Sequence, residues 1–226
     1  MLALELHCHS EHSHDGVDPV EEMLAHAEAV GLDGIAITDH DTIDGSLEAV
    51  DRADAYDLVA LTGVEVSSAA GHVLGIGVDR EIPRGQSFAA TVADIHDAGG
   101  VAVVAHPYQT LRKGVLADES VDPADLTIAD AIETYNSRFL TGRTNQQAAR
   151  LAERLDIPAT AGSDAHVAEM VGKATTLVDA EPDPEAILTA IREGRTRIDG
   201  GRTPLWVTLR QAAGTARRRA RRRVTR

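Results

Sequence analysis

This chain has little cysteine, little lysine and few aromatic side chains. A single cysteine, Cys8, among 226 residues excludes an internal disulfide framework. Aromatic residues make up 3% of the sequence, so any core has to be built from aliphatic side chains. No apolar run approaches the roughly 18–20 residues needed to span a bilayer. The N-terminus has no basic segment followed by an apolar one. A cytoplasmic chain that leaves membranes alone is expected. There are two lysines, Lys113 and Lys173, and the formal charge is −14. That charge is unevenly spread, because Arg202–Arg226 holds nine arginines and no acid, leaving residues 1–201 at −23. An acidic, lysine-poor surface rich in Ala, Val and Asp is expected of a protein adapted to high salt, where net charge keeps it dissolved.

Imidazoles and carboxylates are plentiful, and they cluster. The chain opens with Glu5-Leu-His7-Cys-His9 and runs on to His14-Asp15-Gly16, then Thr38-Asp39-His40-Asp41, Glu65, His72, His106 and Gly162-Ser163-Asp164-Ala165-His166. Each group lies at or just after a short apolar run that reads as a strand. Side chains on a strand alternate with period 2, so His7 and His9 share one face while Leu6 and Cys8 take the other. Asp164 and His166 repeat the spacing. Imidazole and carboxylate donors without a thiolate set suit Zn, Mn or Fe at a hydrolytic site. A lone buried histidine is ordinarily just hydrogen-bonded; the clustering argues for ligands. His26 and His96 fall on helical spacings and are expected to be structural.

Strand and helix signals alternate. Strands are expected at Leu2–His7, Gly34–Thr38, Leu58–Val66, His72–Val78, Val101–Ala105, Ala129–Thr134, Pro158–Ala161 and Thr175–Val178. Helices are expected from Asp18-Pro19 to Val30, Asp44 to Tyr56, Phe88 to Ala98, Thr144 to Leu155 and Pro184 to Glu193. Repeated β-then-α units argue for an α/β fold with a parallel sheet closed into a barrel, the ligands gathering at the C-terminal strand ends.

The motifs E-L-H-C-H-S, S-H-D-G, G-I-A-I-T-D-H-D-T, G-V-E-V-S, G-H-V-L-G, A-H-P and A-G-S-D-A-H together resemble the PHP (polymerase and histidinol phosphatase) family over about residues 1–180. The resemblance implies a distorted TIM-like (β/α)7 barrel holding three divalent metals and hydrolysing phosphate esters. By position it implies His7, His9 and Asp164 on a first metal, Glu65 bridging to a second held by His72 and His106, and Asp15, His40 and His166 on a third. His14, adjacent to Asp15, is the alternative third-metal ligand. Glu5 stands where the family usually has Asp, which alters a hydrogen bond behind the ligands. Amidohydrolases also begin with H-x-H but often bridge their metals with a carbamylated lysine. Neither Lys113 nor Lys173 sits at a strand end, whereas Glu65 can bridge. Divalent cations suit phosphate, lowering the pKa of a water between them to give a hydroxide and neutralising non-bridging oxygens.

Around that set, Asp39 and Asp41 flank His40 and are candidates either to orient an imidazole or protonate a leaving group, or to cap the loop. Arg138 is a candidate phosphate contact, as are Arg112, Lys113 and Arg143. Cys8 reads as a small core residue. Gly162-Ser163-Asp164 lacks the second glycine of a nucleophile elbow. Residues 1–201 are read as one catalytic domain and 202–226 as a basic tail. Its run Arg217–Arg223 would either touch nucleic-acid phosphates or neutralise the protein's own acidic surface. The favoured substrate is a small phosphomonoester such as a nucleotide or sugar phosphate. The alternatives are an exonuclease or phosphodiesterase on short oligonucleotides, or a non-catalytic metal- or nucleic-acid-binding module. About thirty residues separate His72 from His106, too few for an inserted capping domain.

Overall fold

The computed structural model describes residues 1–110, 113–117, 121–138, 142–204, 206 and 207. Ten strands and five α-helices alternate through most of it. In order they are β1 (Leu2–Cys8), α1 (Val20–Ala29), β2 (Gly34–Ile37), α2 (Asp44–Arg52), β3 (Val59–Leu61), β4 (Gly63–Ser67), β5 (His72–Ile76), α3 (Phe88–Asp97), β6 (Val101–Val104), β7 (Ala131–Asn136), α4 (Arg143–Leu155), β8 (Ala159–Gly162), β9 (Ala174–Val178), α5 (Pro184–Arg192) and β10 (Thr196–Gly200). The helices follow their local chemistry. Val20, Met23, Leu24 and Ala27 give α1 a buried stripe at helical spacing. Ser87 caps α3 and Asp183 caps α5, each accepting from the amide three residues on. Among the described residues no helix is long and apolar enough to cross a membrane.

The α/β class is as expected, but the barrel does not close. The strands form two five-stranded sheets, ordered β10-β9-β1-β2-β3 and β4-β5-β6-β7-β8. Nor is the pairing uniformly parallel, since β1–β9, β9–β10, β4–β5 and β5–β6 are antiparallel. The stretch expected as one strand, Leu58–Val66, breaks at Thr62. Its first part pairs with β2, its second with β5. Thr62 marks the change of sheet: its hydroxyl donates to the Val78 carbonyl at 2.7 Å, and its own carbonyl accepts Gly77 N at 2.7 Å. Likewise the helix expected to run to Tyr56 stops at Arg52 and continues as a 3-10 turn, Ala53–Tyr56. The edge strand β10 was not expected, being exposed along almost its whole length.

Two isolated parallel bridges join the sheets, Cys8 to Ala165 and His40 to Glu65. Both lie among the residues singled out as ligands, so the seam between the sheets and the candidate site coincide. Glu5 fastens this region from below. One carboxylate oxygen accepts His7 N at 3.1 Å and Ser163 N at 2.9 Å, and the other accepts Gly172 N at 3.0 Å. Thus Glu5 holds three backbone amides. Burial raises its pKa to about 7, against the lowering effect of the Ser163, Gly172 and His7 amides.

Replacing Glu5 with Ala strands those amides and is expected to lower stability by about 2–4 kcal/mol, measured by urea unfolding in EDTA. Folding raises this acid's pKa, so its contribution is complete below the ordinary value of 4.5 and declines as pH rises through about 7. The deficit of the variant is therefore largest in acid. A deficit that grows between pH 5 and about 8, or one within about 0.5 kcal/mol of zero throughout, contradicts this role.

Candidate metal centre

Glu65, in the middle of β4, occupies the centre of the site and is almost wholly buried. Its Oε1 lies 3.5 Å from His7 Nε2, 2.9 Å from His72 Nδ1 and 3.2 Å from His106 Nε2. Its Oε2 lies 3.2 Å from His9 Nε2 and 3.2 Å from His40 Nδ1. Five imidazoles from four parts of the chain converge on one carboxylate. His7 and His9 come from the end of β1, with ring centroids 5.3 Å apart. His40 follows β2 and His106 follows β6. His72 opens β5 and pairs with Ser67 across the β4–β5 hairpin, on the face that Glu65 shares.

A second carboxylate, Asp15, gathers the rest. Its Oδ2 is 2.9 Å from His166 Nε2, 3.7 Å from His40 Nε2 and 4.0 Å from His14 Nε2, while Oδ1 accepts the Ser13 hydroxyl at 2.9 Å. Asp164 Oδ1 lies 3.7 Å from His9 Nε2. Asp164 and His166 face the cavity although β8 has ended at Gly162, so a left-handed backbone at Asp164 (φ 51°) does what strand alternation was expected to do. His106 is also left-handed, at φ 29°. Side chains are held in this strained region where function requires them.

The electrostatics follow. Burial opposes charge on His40, but Glu65 and Asp15 outweigh it and raise its pKa to about 9. For His9, burial and neighbouring His166 bring the pKa down to about 4. Burial would also push the Glu65 carboxyl up, yet His72, His40 and His7 hold it well below the usual range. His166 is lowered by burial and by Arg138.

The donor set fits divalent cations. His7 Nε2, His9 Nε2, His40 Nδ1 and His72 Nδ1 are buried without hydrogen-bond partners, although Glu65 oxygens stand within 3.5 Å of each. A buried polar atom left unpaired is costly, and a cation shared with the carboxylate satisfies both sides. Among the described residues, groups able to offer three donors to one ion are His7/His106/Glu133, His7/His9/Glu65, His40/Glu65/His72, His9/Asp15/His166 and His14/Asp15/His40.

The other candidates fall out differently. Asp39 turns away from the cavity. It is buried against Ser10, accepting its amide at 2.7 Å and its hydroxyl at 2.6 Å, which fastens a loop outside the cavity lining. Asp41 lines the cavity but accepts Ser67 N at 2.7 Å, with its other oxygen 3.4 Å from Arg84. Arg138 donates to Asp164 Oδ1 at 2.8 Å and lies 2.9 Å from His166 Nδ1, at the edge of the cluster. Arg143 begins α4 and does not line the cavity. Cys8 is buried, its thiol pKa pushed up by that burial. Arg112 and Arg217–Arg223 lie outside the described residues.

Glu133 was missed. Fully enclosed on β7, it accepts His106 N at 2.9 Å and Asn136 Nδ2 at 3.2 Å, and its Oε1 is 2.9 Å from His7 Nδ1. That contact selects the His7 tautomer that turns Nε2 towards Glu65. Gly162 makes room for it: a Cβ there would sit 2.4 Å from His7 Cβ and 2.9 Å from Glu133 Oε1. In the sequence it reads as one polar residue in Ala-Ile-Glu-Thr-Tyr-Asn, and nothing in that pattern marks it. Replacing Glu133 with Ala is expected to weaken Mn binding about 10–100-fold by calorimetry, with Gln, which keeps an acceptor for His7, intermediate. Unchanged affinity in the Ala variant refutes the positioning role.

Comparison with known proteins places this geometry. A model of the PHP domain matches residues 5–154, and one described as PHP-associated matches residues 142–196. An uncharacterised protein of Methanocaldococcus jannaschii is 32% identical over 154 residues, covering 64% of this chain and 87% of its own. A 3',5'-nucleoside bisphosphate phosphatase of Chromobacterium violaceum is 38% identical over 88 residues, which span 37% of this chain but 30% of that enzyme. A Bacteroides vulgatus two-domain protein, described as containing a predicted PHP-like metal-dependent phosphoesterase, superposes with a TM-score of 0.74 at 17% identity, covering 88% of this chain and 65% of that one. With the family model spanning well over half of its length and the clustered histidines and acids of that match facing a single cavity, the chain belongs to the PHP domain family.

Proposed function

We propose that this protein is a metal-dependent phosphoesterase that hydrolyses small phosphomonoesters, with residues 1–201 as the catalytic unit. The observation that carries the reading is the Glu65 carboxylate with five imidazoles within 3.5 Å, on the floor of a cavity of about 880 Å³ bordered by Arg84, Lys113 and Arg138. His7, His9, Glu65 and Asp164 would hold a first divalent ion, Glu65, His72 and His106 a second, and Asp15, His40 and His166 a third. Mn, Zn and Fe all suit these donors. Bound there, such ions supply a water activated near neutral pH and offset the charge of the phosphate.

The chain's own residues do the rest. His72, His40 and His7 hold the Glu65 carboxyl well below its usual range, which favours the anion that a divalent cation would bind. Glu133 and Glu5 hold the His7 ring and backbone from behind. Arg138, already paired with Asp164, presents a guanidinium to non-bridging phosphate oxygens. Attack of water on phosphorus would form a new P–O bond as the ester P–O bond breaks. The water gives up a proton to the solvent-open cavity and the departing alkoxide takes one up from it, leaving inorganic phosphate and the alcohol. A phosphodiesterase reading stays open beside it: the stretch from His72 to His106 holds β5, α3 and β6, and a site without an inserted capping domain there admits either a monoester or a diester.

The test is hydrolysis of p-nitrophenyl phosphate and bis(p-nitrophenyl) phosphate side by side, in high salt with Mn. Monoester turnover is expected, falling at least about a hundredfold in Glu65→Gln. Preference for the diester would support the phosphodiesterase reading. Turnover of neither ester by protein that analysis finds filled with metal would overturn catalysis and leave a binding role.

A further inference from the structure

The strand β10 ends one sheet, and among the described residues only β9 pairs with it. Arg197 to Gly200 are exposed. Hydrogen bonds at its two ends fix which way its backbone faces. Asp179 N donates to Arg195 O at 3.0 Å, and Gly201 N donates to Lys173 O at 2.7 Å. Bonded pairs alternate along an antiparallel ladder, so Arg197 and Asp199 turn their amides and carbonyls towards β9. Thr196, Ile198 and Gly200 turn theirs to the open edge.

Such an edge invites another strand unless proline, a bulge or repelling charge spoils it. The ladder to β9 runs from Thr196 to Gly200 without a bulge, and the strand holds no proline. Its two charges, Arg197 and Asp199, have opposite signs and share one face, with Ile198 between them on the other. Neither has an ion-pair partner among the described residues. Ile198 is 37% exposed and borders a cavity of about 290 Å³ together with Tyr135 and Ala149.

We propose that β10 is a dimer interface: two copies of this chain pair their β10 strands antiparallel about a two-fold axis at Ile198. The edge then satisfies itself. Ile198 exchanges amide and carbonyl bonds with the partner's Ile198, and Thr196 does so with the partner's Gly200. Arg197 falls opposite the partner's Asp199, and Asp199 opposite the partner's Arg197, at positions where the ladder brings side chains closest. Other registers fail. A slip of one residue sets bonding groups against backbone already turned to β9. A slip of two puts Arg197 against the partner's Arg197, or Asp199 against the partner's Asp199, and like charges directly opposite are destabilising. In the favoured register both Ile198 side chains lie together on the face that opens to the Tyr135 cavity. Thr-Arg-Ile-Asp-Gly is thus complementary to itself, as a two-fold contact requires, which favours a second copy over an unrelated strand.

The test is sedimentation equilibrium of the full, metal-loaded chain in moderate salt, up to near-millimolar concentration. A species of twice the 24.0 kDa chain mass is expected. Arg197→Asp and Asp199→Arg should each raise the dissociation constant about tenfold or more, because each makes both facing pairs like-charged. Combining the two reversals in one chain, or mixing the two single variants, restores opposite charges across the edge. Either should bring the dissociation constant back to within about threefold of wild type. A chain that stays monomeric throughout overturns the proposal. So does a dimer that the single reversals leave unchanged, or one that neither combination restores. Hydrogen exchange on the wild type decides the matter without any variant. The amides of Thr196, Ile198 and Gly200, which β9 does not hold, should exchange more slowly as concentration rises, and exchange independent of concentration overturns the pairing.

Discussion

The structure depends on one buried negative charge. Glu65 has almost no exposure to water and stands within 3.5 Å of five imidazoles. Neither side is stable there alone. A carboxylate taken out of water costs several kcal/mol unless compensated, on the order estimated for buried ions, and five imidazoles packed together cannot all carry protons. The opposed pKa directions of His40 and His9 express that conflict: His40, touching both Glu65 and Asp15, gains charge, while His9, facing His166, loses it. Divalent cations held between carboxylate and rings would resolve the conflict without requiring any histidine to be protonated.

The fold is organised to impose that crowding. Two sheets meet at the site through single bridges, Cys8 to Ala165 and His40 to Glu65, in place of a continuous ladder. Backbone amides freed where the ladders stop are taken up by buried acids. Glu5 accepts three of them, Asp39 accepts Ser10 N, Asp41 accepts Ser67 N, and Glu133 accepts His106 N. Acidic side chains thus form an inner frame behind the ligands, and left-handed residues at Asp41, His106 and Asp164 turn the chain into it. An open seam is the structural condition for so many strand ends to reach a single carboxylate.

Much of this was legible in the sequence. The H-x-H pair, the acid and imidazole at strand ends and the β-then-α rhythm each follow from local periodicity, and the converging residues are those the motifs named. What stayed hidden depended on long-range placement. Thr62 looks like the middle of one apolar strand, because only pairing with β2 on one side and β5 on the other reveals the change of sheet. The exposed β10 lacks a buried face, so it carries no alternation to read. Asp39 and Asp41 flank His40 symmetrically in sequence, yet one turns inward to Ser10 and the other lines the cavity, a difference set by the left-handed turn at Asp41. Glu133 is 126 residues from the ring it positions.

The central claim is that Glu65 is shared by bound cations. Crystals grown with Mn, with data collected at an energy where Mn scatters anomalously, test it directly. The account predicts anomalous peaks on both sides of the Glu65 carboxylate, each in reach of histidines from the set His7, His9, His40, His72 and His106. Peaks elsewhere on the protein with none at Glu65 would contradict it.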